Sequence, residues 1–477
     1  MQQRQQPWPK PIKVLSVYRC QFSEYSLKTD NRQLKTENSF NSPNMKSISV
    51  LALALLTSSL AFAQQQPNDE VLNGLIRQSI QYYPQLKQQQ QALSLSESRT
   101  QMAEAARKPS VSGDASYQYI WPLQRVTFEI PGLGSNAIQF APRNNYNVGV
   151  SVSQTVYDWG KDAANIDKAR TESLLSQQNV DLATHQLAYQ VAQVYFSIVY
   201  LQKAITVQRA QESLVGETAK VIENRIKSGD EIDYNLVATN VRYKNVRTRI
   251  VDLQTQLDRQ FILLSSLVGK DVRSTINAEA GFAWSSLVTP QDSSNVDNNW
   301  DLRLAKTREL VAEKDIQIAK AAKLPTFSFN GSTGFRNGFQ PEIKEFRFNG
   351  GVGFRLSAPI YAGGRHQIQE DIARKNLQLS QYGTETASVQ IHTQLEQAQS
   401  ELRSTTEKLR LSETQLQEAQ YGLQLANVRF QNGVITQLEI QSAQTALEEA
   451  EFQRIQYQYQ QALARLELNR LIGTKIW

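Results

Sequence analysis

Four stretches of the chain alternate apolar and polar side chains with a period of two. In 144–156, Tyr146, Val148, Val150, Val152 and Val156 fall on one face, and Asn145, Asn147, Gly149, Ser151 and Ser153 on the other. In 346–358, Phe346, Phe348, Val352, Phe354 and Leu356 oppose Arg347, Asn349, Gly351, Arg355 and Ser357. The stretches 110–121 and 326–335 behave alike, with Val111, Ala115, Tyr117, Tyr119 and Trp121 on one apolar face and Phe327, Phe329 and Phe335 on the other. This period predicts β-strands. Each is roughly ten residues long, the length that crosses a bilayer at a tilt. A soluble two-faced sheet would alternate in the same way; the small polar faces and aromatic strand ends favour a membrane barrel.

Two other stretches carry a period near 3.5. Leu395, Leu402, Leu409, Leu416, Leu423 and Phe430 recur every seven residues, and Ile391, Ala398, Thr405, Ser412, Ala419 and Ala426 sit four residues before each. That 4-3 spacing predicts a long helix with knobs-into-holes packing over 365–432. Leu187, Val191, Val194, Ile198, Leu201, Ile205, Val215, Ala219, Ile222 and Ile226 predict the same over 161–228. No proline interrupts either stretch, so each helix should run roughly 100 Å. Shorter helices are predicted over about 70–107, 233–268, 300–323 and 437–472, with Asp233 as an N-cap.

These elements occur twice in one order. Val156-Tyr157-Asp158-Trp159-Gly160-Lys161 resembles Ile360-Tyr361-Ala362-Gly363-Gly364-Arg365 at an offset of 204. Asn224-Arg225-Ile226-Lys227-Ser228-Gly229 resembles Val428-Arg429-Phe430-Gln431-Asn432-Gly433, and Leu267-Val268-Gly269 matches Leu471-Ile472-Gly473, both at 204. Ala105-Ala106-Arg107-Lys108-Pro109-Ser110 resembles Ala321-Ala322-Lys323-Leu324-Pro325-Thr326 at 216. The change of 12 in the offset predicts a longer loop in the first copy, near Pro131-Gly132-Leu133-Gly134. The period is too long for a solenoid and marks a duplicated domain. The first repeat is expected over 64–279 and the second over 300–477, joined by a Ser/Asn/Asp-rich linker at 280–299.

The net charge of +6 changes the picture once it is located. Residues 1–44 hold seven basic and three acidic residues. Met45-Lys46, an apolar run through Leu60 and Ala61-Phe62-Ala63 then form a signal peptide over 45–63, with cleavage expected after Ala63. The true start is therefore expected at Met45, with 1–44 a spurious upstream extension. Without residues 1–63 the charge falls to about +1, and no basic cluster points to nucleic acid. The single cysteine, Cys20, excludes a disulfide framework. The three histidines, His185, His366 and His392, do not occupy matching repeat positions, so no metal centre is expected. No H-E-x-x-H, G-x-S-x-G or P-loop lysine motif is present, and no cofactor or catalytic site is predicted.

Four strands cannot close a barrel, and a strand in lipid cannot leave its edge open. The chain must borrow strands from copies of itself. Two copies would give eight strands with a filled interior. Three would give 12, within the bacterial range, and the small polar faces favour the open lumen of three. A periplasmic coiled-coil scaffold would explain the helices but not the strands. A stand-alone porin would explain the strands but not the helices.

The duplicated order, the Pro at each strand entry, Tyr157-x-x-Gly160 and Tyr361-x-x-Gly364, and the Gly turns before the last helices resemble the TolC-like outer-membrane efflux proteins. The resemblance implies a mainly α fold with a membrane β-barrel: a homotrimer with a 12-stranded barrel in outer-membrane lipid, continued by an α-helical tunnel through the periplasm. It implies docking to a periplasmic adaptor and an inner-membrane pump, and export of small molecules or proteins. The helical-hairpin tips would be Gly229, Asp230, Gly433 and Val434, and the lumen would carry Arg347, Arg355, Asn145 and Asn147. In many members an acid six residues after each turn glycine narrows the tunnel entrance; here those positions hold Glu439 and Asn235, and a further acid is replaced by Ser442. The family's Tyr and Arg clasp positions hold Phe430 and Ile435. Glu439 reads either as a solvated charge in a first helical turn, favoured there by the helix dipole, or as one of a ring of carboxylates expected to hold its protons more tightly than a free side chain.

Overall fold

A computed structural model describes residues 67–130, 134–276, 281–282, 284 and 296–475. The expected leader, Pro131–Leu133 and most of the linker lie outside these residues. The chain runs through α1 (Pro67–Tyr82), α2 (Pro84–Ala105), β1 (Ser110–Tyr119), β2 (Arg125–Ile130), β3 (Gly134–Gln139), β4 (Asn144–Tyr157), α3 (Lys161–Ser228) and α4 (Asp233–Val268). The second copy follows as α5 (Trp300–Ala321), β5 (Thr326–Arg336), β6 (Arg347–Ser357), α6 (Arg365–Gln431) and α7 (Gln437–Ile472).

The helices α3 and α6 are 68 and 67 residues long. Each folds back on the shorter helix after it, so α3–α4 and α6–α7 are antiparallel hairpins. The heptad seam of α6 is buried at Ile391, Leu395, Ala398, Leu402, Leu416, Leu423 and Phe430. In α3, Leu187, Val191, Ile198 and Ile222 are buried. Burying each such Ile, Leu, Val or Phe side chain contributes about 1.5–3 kcal/mol, and that sum holds helices this long together. The largest apolar cluster joins α1, α3 and α4 with Val272, Ile276 and Trp284. Where α5 begins, Asn299 caps it by accepting from the Asp301 and Leu302 amides, and its Nδ2 donates to the Leu471 carbonyl at 2.9 Å. That one buried side chain pins the start of α5 to the end of α7.

The helix expected over 70–107 is two helices. Tyr83 is extended at φ −60°, ψ 118°, because Pro84 disfavours helical geometry in the residue before it. The loop expected near Gly134 is a hairpin of β2 and β3, paired from Arg125↔Gln139 to Ile130↔Gly134. Asp233 is not a cap: α4 begins after Ile232 with no capping side chain, and Glu231 accepts from the Ile232 amide instead.

The sheet has the order β1-β4-β5-β6, antiparallel throughout, with β1 and β6 as open edges. Its register puts like with like. Ser112, Ser151, Ser332 and Gly351 form one cross-strand row, and Ala115, Val148, Phe335 and Phe348 another. One face is therefore Ser, Asn, Gly and Arg, and the other Val, Phe, Tyr and Leu. Gly149 faces Gly334 across β4 and β5; a Cβ on Gly334 would collide with the Val148 carbonyl and the Gly149 backbone. Only glycine permits the two strands to meet there. Among the described residues no helix is long and apolar enough to cross a membrane.

Candidate functional site

Two regions carry the residues the sequence singled out: the polar face of the sheet and the ends of the helical hairpins. On the sheet, Ser112 and Ser151 hydroxyls lie 2.8 Å apart, Ser151 donates to Asp114 at 2.9 Å, and Ser153 donates to Asn330 at 3.0 Å. Asn145 donates to the Pro142 carbonyl at 3.0 Å. Asn147 stands beside Ser116 and Arg336 in the register. Arg347 is held by Glu345 at 2.6 Å and Glu342 at 3.5 Å, so its charge is compensated at the strand entry. Arg355 is exposed and has no ion pair among the described residues. On the opposite face Val352 is 82 % and Phe354 68 % exposed. An apolar face this open needs an apolar environment.

Where sheet meets helix, Glu370 accepts from Lys323 at 2.6 Å and Arg374 at 2.8 Å. The two cations pull its carboxyl down to about 2.

At the far end of the hairpins both turns use one geometry. Gly229 and Gly433 take φ of 84° and 71°, conformations that a side chain would strain. The next amide reaches back over the turn: Asp230 donates to the Arg225 carbonyl and Val434 to the Arg429 carbonyl, both at 2.9 Å. These bonds satisfy carbonyls that the helix end leaves open. A cleft of about 760 Å³ separates the turns, lined by Arg225, Asp230, Glu231, Asn235, Asn432 and Thr436 among others. Arg225 of the first copy crosses it, donating to the Phe430 carbonyl and lying 4.5 Å from the Phe430 ring centroid.

Asn235 lines this cleft and donates to Glu231 at 2.7 Å, so an acid stands one turn before the predicted position. Glu439 and Ser442 lie on the exposed side of α7. Thr436 caps α7, and the Glu439 carboxylate accepts from the Thr436 amide at 2.7 Å and hydroxyl at 2.9 Å. The backbone bond, then the hydroxyl, lower the Glu439 pKa. Within one chain the capping box favours the carboxylate, whereas the tightly held proton was expected of a ring of three chains. The sequence had shown the signal, Thr436-x-x-Glu439.

One group went unnoticed in the sequence. Arg242 of α4 donates to Gln444 at 3.0 Å and Thr445 at 3.1 Å on α7, and Gln444 donates to Thr218 of α3 at 2.8 Å. Glu448 accepts from Gln208 at 2.7 Å and lies 3.8 Å from Arg249. Burial lowers the Arg242 pKa, while the Glu448 charge opposes that shift. These partners are about 200 positions apart, one from each repeat. Among the described residues no three His, Cys, Asp or Glu side chains converge as metal ligands.

The family model described as outer membrane efflux protein matches residues 75–270 and 293–474. The chain is 25% identical over 336 residues to the pyoverdine export outer membrane protein OpmQ of Pseudomonas aeruginosa, covering 69% of this chain and 68% of that one. It is 20% identical over 353 residues to the outer membrane protein TolC of Vibrio cholerae, covering 72% and 80%. Among solved structures, the outer-membrane channel OprN superposes with a TM-score of 0.73 at 17% identity, over 86% of this chain and 92% of that chain. VceC from Vibrio cholerae superposes with a TM-score of 0.72 at 18% identity, over 87% and 98%. With the repeat, the sheet and the two hairpins all accounted for, the chain belongs to the outer membrane efflux protein family and is an outer-membrane channel for export.

Proposed function

We propose that three copies of the chain close one 12-stranded barrel in the outer membrane, with the six helical hairpins continuing it as a periplasmic tunnel. The single observation that carries this reading is the four-stranded sheet with two open edges and an exposed apolar face. In lipid those edges must pair, and cyclic repetition closes a head-to-tail contact.

The duplication supplies the register of the closing pair. Shifts of 204 and 216 map β4 onto β6 and β1 onto β5, and within the chain Ser151 pairs with Ser332 and Val150 with Thr333. The equivalent pairs between copies are Arg355 with Ser116, and Phe354 with Tyr117. Each joins residues of the same face, as a continuous barrel wall requires. Asn145, Asn147, Arg347 and Arg355 then face the lumen, with Arg355 the charge that ions meet. The tips Gly229, Asp230, Gly433 and Val434 form the periplasmic entrance, with Asn235, Glu439 and Ser442 behind them. Exposed Ile232, Tyr234, Val434 and Leu438 at these tips suit an adaptor that brings an inner-membrane pump.

The test is conductance of the purified protein in planar bilayers. Stable open channels are expected, and Arg355→Glu should shift selectivity toward cations. Absence of channels, or selectivity indifferent to Arg355→Glu, would refute the reading.

A further inference from the structure

The helix α7 turns one face onto a cavity of about 340 Å³. Arg454, Gln458, Gln461 and Arg465 fall on that face at helical spacing. Lys203 of α3 and Phe282 of the segment between the copies also line the cavity. Gln461 is anchored by donating to Thr406 of α6 at 3.0 Å. Lys203 and Arg454 are half-buried, and Arg465 is exposed. Glu451 acts on Arg454 through its field, yet none of the three cations has a salt bridge or side-chain hydrogen bond among the described residues. Three cations thus line one partly enclosed space, and no described acid lines it with them.

Packing does not require these charges, and the duplication shows why. At the offset of 204 the same face of α4 holds Ile250, Gln254, Leu257 and Phe261, and the counterpart of Lys203 is Glu407. The register is fixed on both sides by Gly229↔Gly433 and Gly269↔Gly473. In the first copy Ile250 and Phe261 are only 8% and 6% exposed, so the face is ordinary core. In the second copy two of the four positions are Arg, a third is Gln in place of Leu257, and a cavity lies over them. Leu409, on the α6 seam, lines it in place of packing fully.

We propose that this cavity binds a small polyanion bearing carboxylate or phosphate groups. The guanidinium groups of Arg454 and Arg465 and the ammonium of Lys203 would pair with its charges. The side-chain amides of Gln458 and Gln461 would add hydrogen bonds, and Phe282 would cover it. Guanidinium forks suit both oxyanions. Lys203 belongs to the first copy and the arginines to the second, so the bound anion would bridge α3 and α7. The site is independent of the oligomeric reading above.

The test is isothermal titration calorimetry of the purified full-length protein at constant ionic strength. Inorganic phosphate and citrate are titrated in separate arms, with chloride as the balancing salt. One site per chain is expected in at least one arm, and the arm that binds identifies phosphate or carboxylate as the source. Arg454→Gln with Arg465→Gln should weaken binding at least tenfold. Arg454→Ile with Arg465→Phe, the first copy's residues, should abolish it while leaving the circular dichroism spectrum unchanged. Arg454→Lys should retain most of the affinity. No binding in either arm would overturn the proposal, as would equal binding by the wild type and the Arg454→Gln, Arg465→Gln protein.

Discussion

Arg225 lies over the ring of Phe430, with its guanidinium carbon 4.5 Å from the ring centroid, and donates to the Phe430 carbonyl. One residue stands at the end of α3 and the other at the end of α6, so the contact ties the two hairpin tips of a chain. The positions where the resemblance would put a Tyr and Arg clasp hold Phe430 and Ile435. The cation over the Phe430 ring comes from the other repeat.

Arg225→Ala should loosen both tips. A cation over a ring, with a charge-assisted bond to a carbonyl, contributes about 1–2 kcal/mol at a half-buried site. Hydrogen exchange should register that loss as faster opening of the last turn of α6, in amides that Arg225 does not itself bond. Exchange unchanged there would mean the contact couples nothing.

Thr436→Ala removes the cap of α7 and should cost about 1 kcal/mol at that helix start. The same capping box has a pH dependence. The Glu439 pKa lies below its ordinary value of 4.5 in the folded chain, so its contribution is present above 4.5 and lost as pH falls through the folded value. Exchange protection of the first turn of α7 should therefore hold from pH 7 to 5 and decline below about 4.5. Protection that rises on acidification would point to the carboxylate repulsion expected from a ring of acids.

Val150→Arg on the apolar face should cost about 2–4 kcal/mol if it lies at mid-bilayer, whereas Ser151→Arg on the polar face should cost far less. Urea titration of the protein in lipid vesicles, followed by gel mobility, separates the two. A greater cost for Ser151→Arg would mean the faces are assigned the wrong way round, and equal tolerance that neither face meets lipid.

Gly334→Val places a side chain against the Val148 carbonyl and the Gly149 backbone. Forcing β4 and β5 apart should cost about 1–3 kcal/mol, as overpacking does. Gly351→Val, where a Cβ meets nothing within 4 Å, is the matched control and should fold normally. The same vesicle titration reads both.

The helices and sheet strands were legible because their periods are unmixed. Six seam positions at intervals of seven specify α6, and alternation from Tyr146 to Val152 specifies β4. The β2–β3 hairpin was not legible, because six residues such as Arg125–Ile130 alternate too briefly to separate from a loop. Pro84 announced the break after α1, but the helical pattern on both sides masked it. The Arg242–Gln444 contact could not be seen, since nothing local links residues 202 positions apart. The same offsets that align the repeats also expose Arg454 and Arg465 as departures from a core pattern.

The most direct measurement of the trimeric barrel is a cysteine cross-link between the two open edges. The one cysteine, Cys20, lies in the expected upstream extension, so the chain after the expected leader supplies a cysteine-free background. Arg355→Cys and Ser116→Cys on one chain should then lie about 4.5–5.5 Å apart between neighbouring copies. Oxidation in membranes should give a covalent species three times the mass of the chain on a denaturing gel, while Arg355→Cys with Tyr117→Cys, on opposite faces, should not react. A product that stops at two chains, or equal reaction by both pairs, would contradict the three-copy barrel and its register.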